Sequence, residues 1–143
     1  MEHYLASTIN RLRRSFVQFS LPALQKLGLT GGLLHFLLYI GSNPGCTPGM
    51  LAAAAGMDSG HTTRSIEKLV ALGYARRTRS EQDRRAFHLD LTESGMAAFE
   101  TLKELFPAWD AQTLRCLSEE DKSQLFRILA IIEDHQEKVC THV

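Results

Sequence analysis

Between Gly73 and Thr92 the chain changes its hydrophobic period twice, and this limits what it can fold into. Before Gly73, Ile66, Leu69, Val70 and Leu72 recur at helical spacing. From Tyr74 through residue 79, and again from Ala86 to Leu91, the period is two, with Phe87, Leu89 and Leu91 facing one way. After Thr92 the helical period returns through Met96, Phe99, Leu102, Phe106 and Trp109. Two short strands joined by a charged tip of about six residues predict a β-hairpin held between helices.

The flanks read as helices throughout. Ile9, Leu12, Phe16 and Phe19, interleaved with Arg11, Arg13, Arg14 and Gln18, predict an amphipathic helix over about residues 3–19. Ser20-Leu21-Pro22 predicts a break and a new turn, because proline is tolerated near a helix start. Thr30 is placed to cap a helix through "LLHFLLYI", which is apolar nearly all round and therefore buried. "GSNPG" ends it. Thr47-Pro48 is a cap followed by a proline at the first helical position, so a short helix runs from Pro48 to Ala55. "GMDSG" is a turn, and a further helix follows from about Ser59 to Leu72, its far side giving Ile66, Leu69 and Leu72 to the core. Gly73 stands where a helix end wants positive φ. Pro107 should kink or divide the next helix. Ser118-Glu-Glu-Asp opens the last one, whose apolar stripe is Leu125, Ile128, Leu129, Ile132 and Val139.

The expected fold class is therefore mainly α with a small β-hairpin wing, in one domain of 143 residues. Residues 30–91 form a winged helix-turn-helix, and residues 1–28 and 92–143 supply flanking helices. A formal net charge of zero conceals a segregation. Residues 60–89 hold seven Lys/Arg against three acids, whereas residues 93–143 hold five against ten. A basic binding face joined to a part that must not bind the same polyanion has this pattern.

The residues suited to that face are short polar groups and arginines. A helix is the right width for the DNA major groove, and a hairpin can reach the neighbouring minor groove or backbone. Thr47, Ser59, His61, Thr62, Thr63 and Arg64 are the expected contacts from the helical part, with double-stranded DNA as partner. Arg77, Asp83, Arg84 and Arg85 are those expected from the wing. A charged turn alone more often means a solvated tip with a weak surface ion pair.

"LAAAAGMDSGHTTRSIEKLVALGYARR" followed by "DRRAFHLDLTESG" resembles the multiple antibiotic resistance regulator (MarR) family. The family's Asp-x-Arg on the wing, followed by a strand and Leu-Thr-x-x-Gly, falls on Asp83, Arg85, Leu91, Thr92 and Gly95. Its Thr-Arg pair falls on Thr63 and Arg64, and the flanking helices match in order. The resemblance implies a homodimer with intertwined terminal helices and two winged lobes on a pseudo-palindromic operator. It implies that Arg85 reaches the minor groove while Asp83 orients wing arginines by charge-assisted hydrogen bonds. It also implies a repressor released by a small aromatic or anionic effector.

Other signals are weaker. Cys46, Cys116 and Cys140 form no CxxC pair, and no cysteine lies in the first helix, where oxidation sensors of the family place theirs. Cys46 nevertheless precedes a helix N-terminus, a position that can lower a thiol pKa, so a cysteine-based redox regulator is an alternative. His135, Cys140 and His142 are spaced by five and two, which puts no neighbouring pair at chelating distance on one helical face. No metal and no cofactor are expected. His35 and Tyr39, at i and i+4 on the buried helix, fit either a hydrogen-bonded core pair or the wall of an effector cleft. A winged helix serving only as a protein-interaction module is a second alternative. The chain lacks a Gly-rich phosphate loop, a nucleophile elbow and a catalytic His/Asp/Glu cluster, so no enzyme is expected. "MEHYLASTINRLRR" lacks the order of a signal peptide and no apolar run approaches the roughly 20 residues that span a bilayer, which predicts a cytoplasmic protein without a membrane partner.

Overall fold

The helix that organises the molecule is the one that is apolar on nearly every side. In the computed structural model, which describes residues 3–83 and 85–140, it is α2, Gly31–Ser42, and it buries Leu33, Leu34, Phe36, Leu37 and Ile40. Ahead of it lies α1, Leu5–Lys26, and after it come α3, Pro48–Ala55, and α4, Ser59–Ala71. Strands β1, Ala75–Arg79, and β2, Phe87–Leu91, follow, then α5, Glu93–Lys103, α6, Leu105–Thr113, and α7, Glu119–Cys140. Helices α1, α3, α4 and α5 and strand β2 all pack on α2. The chain forms two units, residues 1–106 and 107–143. Because α5 gives Ala98, Phe99 and Leu102 to the core around α2, the first unit extends past the hairpin.

Helix α1 departs from expectation. It runs unbroken through Pro22, although proline removes the hydrogen bond to the carbonyl four residues back. Ser20 and Leu24, on either side of that proline, are buried, and packing of the final turns on the core offsets the lost bond. Pro107 does divide its helix. It cannot donate to the Lys103 carbonyl, and the regular structure stops at that residue before resuming as α6. Ser118 caps α7 as expected, its Oγ accepting from Asp121 N at 3.1 Å.

β1 and β2 pair antiparallel with Ala75 opposite Leu91 and Arg79 opposite Phe87. The end of the hairpin is tied back to its start by a compact set of bonds. Thr92 Oγ1 accepts from Gly95 N at 3.0 Å, capping α5, and donates to the Gly73 carbonyl, to which Ser94 Oγ also donates at 3.0 Å. Gly73 itself has φ +81°, which a side chain would strain. Gly95 is needed for a different reason: a Cβ there would run into the Tyr74 carbonyl oxygen. The Thr-x-x-Gly spacing thus combines a helix cap with the closest approach of α5 to the hairpin.

Gly95→Ala should lower the melting temperature by an amount at or above the roughly 1–3 kcal/mol usual for overpacking, because the obstacle is backbone. Gly31→Ala, where nothing lies within 4 Å of the added carbon, should leave it unchanged or raise it. Thermal melts of the two variants make the comparison.

Candidate nucleic-acid interface

Two caps set the helix-turn-helix. Thr47 Oγ1 accepts from Met50 N at 3.2 Å and opens α3. Asp58 Oδ1 accepts from His61 N at 2.7 Å and opens α4. Asp58 was not among the expected residues, since the sequence there reads as a turn, although an acid directly before a helix is itself a start signal. Its carboxyl is held below the ordinary 3.8 by the bond from His61 N and, to a smaller degree, by the charge of Arg64. Gly60 lies between these two groups. A Cβ there would stand 3.2 Å from Asp58 Oδ1 and 3.3 Å from an Arg64 guanidinium nitrogen, so the arginine folds back over the first turn.

The faces of α4 separate cleanly. Thr62, Ser65, Ile66 and Leu69 are buried, while Ser59, Gly60, Thr63, Arg64, Glu67 and Lys68 are exposed. Thr62 is therefore a correction to the expected contact set. It is 1 % exposed, and its hydroxyl donates to the Asp58 carbonyl at 2.9 Å, one helical turn back. His61 is half-buried with its ring 5.9 Å from that of Phe36 in α2, so it packs inward as much as outward. Leu72 is a second correction, being 43 % exposed instead of in the core, because the helix has ended by Ala71. Lys68 stands on the outer face one turn after Arg64 and was missed; helical spacing from Arg64 would have found it.

Helix α4 and the hairpin meet, with the start of α3, around a small hollow of about 150 Å³ lined by Pro48, Thr63, Ile66, Arg77 and Phe87. Register explains why. Arg77 and Arg79 stand opposite Leu89 and Phe87 and share their face of the hairpin. The Arg79 guanidinium lies 5.6 Å from the centre of the Phe87 ring. At the tip, backbone bonds run from Ser80 N to the Ala86 carbonyl and from Ala86 N to the Asp83 carbonyl, both 3.0 Å. Asp83 Oδ1 accepts from Arg85 N, also at 3.0 Å. Among the described residues the aspartate thus grips the wing through the main chain of Arg85, where the resemblance implied contacts to arginine side chains. Arg85 itself is exposed; Arg84, and His142 of the terminal histidine group, lie outside the described residues.

Helices α2 and α3, with the turn after α2, line an open cavity of about 310 Å³ whose wall includes His35, Phe36, Tyr39, Asn43, Leu51 and Ala55. Within the single chain His35 is exposed and Tyr39 half-buried. Cys46 packs as a core residue and gains nothing from the helix start that follows it. Its thiol is 2 % exposed, and burial first, then the charge of Asp90, raises its pKa. The helix that follows does not overcome that desolvation.

A short helix-turn-helix with a basic hairpin beside its second helix defines a winged-helix DNA-binding protein. The MarR family model matches residues 27–86. The chain is 43% identical over 129 residues to the HTH-type transcriptional regulator BilQ of Clostridium symbiosum (strain WAL-14163), covering 90% of each. It superposes on a crystal structure of MarR with a TM-score of 0.89 at 20% identity, covering 99% of this chain and 97% of that one. It is likewise similar to FabT of Streptococcus pneumoniae in complex with DNA, with a TM-score of 0.76 at 26% identity over 94% of this chain and 99% of the other. The chain belongs to the MarR family of transcriptional regulators. No single described helix is long and apolar enough to cross a membrane.

The α4 cap carries a pH dependence of known sign. The Asp58 carboxyl has a lowered pKa in the folded chain, so its contribution is complete above the ordinary carboxylate range and fades as pH falls through the lowered value. The stability difference between the natural chain and Asp58→Ala should shrink over that interval, while that between Asp58→Asn and Asp58→Ala stays level. A gap independent of pH in both comparisons would remove the charged cap from the account.

Proposed function

We propose that the protein is a homodimeric repressor that reads a pseudo-palindromic operator in the cytoplasm and is released by a small aromatic or anionic effector. The observation that carries the DNA-reading part is the meeting of Thr63 on the outer face of α4 with Arg77 of the wing around one hollow, with Arg64 and Arg85 also exposed on α4 and the wing tip. Short hydroxyls and forked guanidiniums meet base edges and phosphates. The solved complex of FabT with DNA supports the same use of this fold. Repression follows from mass action if the operator overlaps a promoter.

Dimerisation is supported by apolar side chains that each unit leaves in water. Ile9 and Leu12 of α1 are 53% and 45% exposed, and Ile128 and Leu129 of α7 are 46% and 38% exposed. Stripes of this length on a monomer mark an interface, and a two-fold axis would let copies of the same surfaces bury one another. Two reading helices then meet successive major grooves about 34–36 Å apart, one turn of DNA. The cavity beside His35 and Tyr39 has apolar walls with a few polar groups, as a small phenolic or carboxylate ligand requires. A ligand seated there that prefers another spacing of the reading helices lowers DNA affinity by its differential affinity for the two states. A redox switch at Cys46 is the weaker reading, because a buried thiol with a raised pKa is a poor nucleophile. A protein-interaction module leaves the wing arginines without a use.

On operator duplexes recovered by selection from random DNA, Arg85→Ala should weaken binding by about 1–3 kcal/mol with an unchanged melting temperature. Affinity of the natural chain should fall with salt by about 0.9 log units per log unit of salt for each phosphate neutralised. Salt-independent binding would exclude this mode.

For the cavity, His35→Ala and Tyr39→Phe should blunt release by a responsive phenolic and leave ligand-free DNA binding nearly intact. If the two residues served packing instead, His35→Ala would lower stability and DNA binding together while the folded fraction still responded. DNA titrations with and without the phenolic, alongside thermal melts, distinguish the two patterns.

A further inference from the structure

The turn that leaves α2 runs along the free edge of β2. Leu89 N donates to the Cys46 carbonyl at 2.8 Å and Gly45 N donates to the Leu89 carbonyl at 2.9 Å. Two side chains of β2 add to this backbone pairing. Asp90 Oδ1 also accepts from Gly45 N, at 2.9 Å. His88 Nδ1 lies 3.0 Å from the Gly45 carbonyl and acts there as the donor, since a carbonyl can only accept. Both polar groups of one backbone unit are thereby held by side chains two residues apart on one strand. Gly45 has φ +78°, and nothing lies within 4 Å of a Cβ built on it; the glycine serves the backbone conformation that presents N–H and C=O to β2.

The sheet has only the strands β1 and β2 among the described residues, and a two-stranded hairpin alone is marginal in water. Its pairing ends at Arg79 and Phe87, and Asp83 and Arg85 lie on the tip beyond it. The Gly45 contacts fall on β2 just past the tip, three to five residues after Arg85.

We propose that His88 and Asp90 are positioning residues for the DNA-binding wing, latching β2 to Gly45 so that Arg85 is presented in a fixed direction. They touch no DNA in this role and act through Arg85. The proposal rests on DNA binding by the wing and is independent of repression and of any effector.

The test is a double-mutant cycle in the full-length chain, on a duplex selected from random DNA, with binding read by fluorescence anisotropy and folding by thermal melts. Asp90→Ala and His88→Ala should each weaken binding roughly tenfold, as expected when an ordering hydrogen bond to a charged or ring group is lost. Asp90→Asn keeps the acceptor oxygen and should retain most of the affinity. In the Arg85→Ala background the same latch substitutions should cost less than about twofold, because residues acting through one group are not additive. Equal losses in both backgrounds, or no loss in either, overturn the proposal. Should Asp90→Ala lower the melting temperature enough to deplete folded protein, the cycle built on His88→Ala carries the same expectation. Natural protein that selects no DNA would overturn the functional reading itself, at a stage before any variant is compared.

Discussion

The structure of the first unit depends on the desolvation of α2. Five of its twelve residues are buried apolar side chains, each worth roughly 1.5–3 kcal/mol when withdrawn from water. No other element touches so many neighbours: α1 and α5, α3 and α4, and β2 all find part of their apolar face on it. The fit is close enough that Gly41 has no room for a Cβ against the Phe99 ring of α5. A helix so largely committed to the core leaves only the edge at His35 and Tyr39 open to a ligand, and the DNA-facing groups come from its neighbours. It fixes their positions.

The recognition surface is correspondingly made of what the core does not use. On α4 the inward residues Thr62, Ser65, Ile66 and Leu69 leave Thr63, Arg64 and Lys68 outside without competing demands. Local bonds aim them: Asp58 starts the helix and draws Arg64 towards its first turn, and Asp83 shapes the tip through the main chain of Arg85. None of these contacts is a buried ion pair. The long-range charge pattern attracts a polyanion, and the short-range hydrogen bonds decide which groups meet it.

Much of this was legible because period and punctuation agree. The helix from Pro48 to Ala55, the positive φ at Gly73 and the cap at Ser118 follow from single residues whose backbone preferences are strong. What was not legible required knowing neighbours in space. Pro22 reads as a break, yet burial of Ser20 and Leu24 carries α1 through it. Thr62 and Thr63 are chemically alike, and only the rotation of α4 against α2 decides that one hydroxyl faces inward. Cys46 sits before a helix start, but its burial in the core outweighs that electrostatic advantage. His88 and Asp90 alternate along a strand like any polar pair until Gly45, more than forty residues earlier, is seen beside them.

The placement of Cys46 has a practical consequence. Its side chain is buried where its own backbone pairs with Leu89, and that burial raises its pKa. An alkylating reagent can meet it only in the fraction of molecules in which an opening of the fold has exposed it. Cys116 and Cys140 are exposed and set the unhindered rate for the same reagent. The chain therefore contains its own clock for opening around the turn that pairs with β2: the lag of the first cysteine behind the other two reports the free energy of the least costly motion that uncovers it.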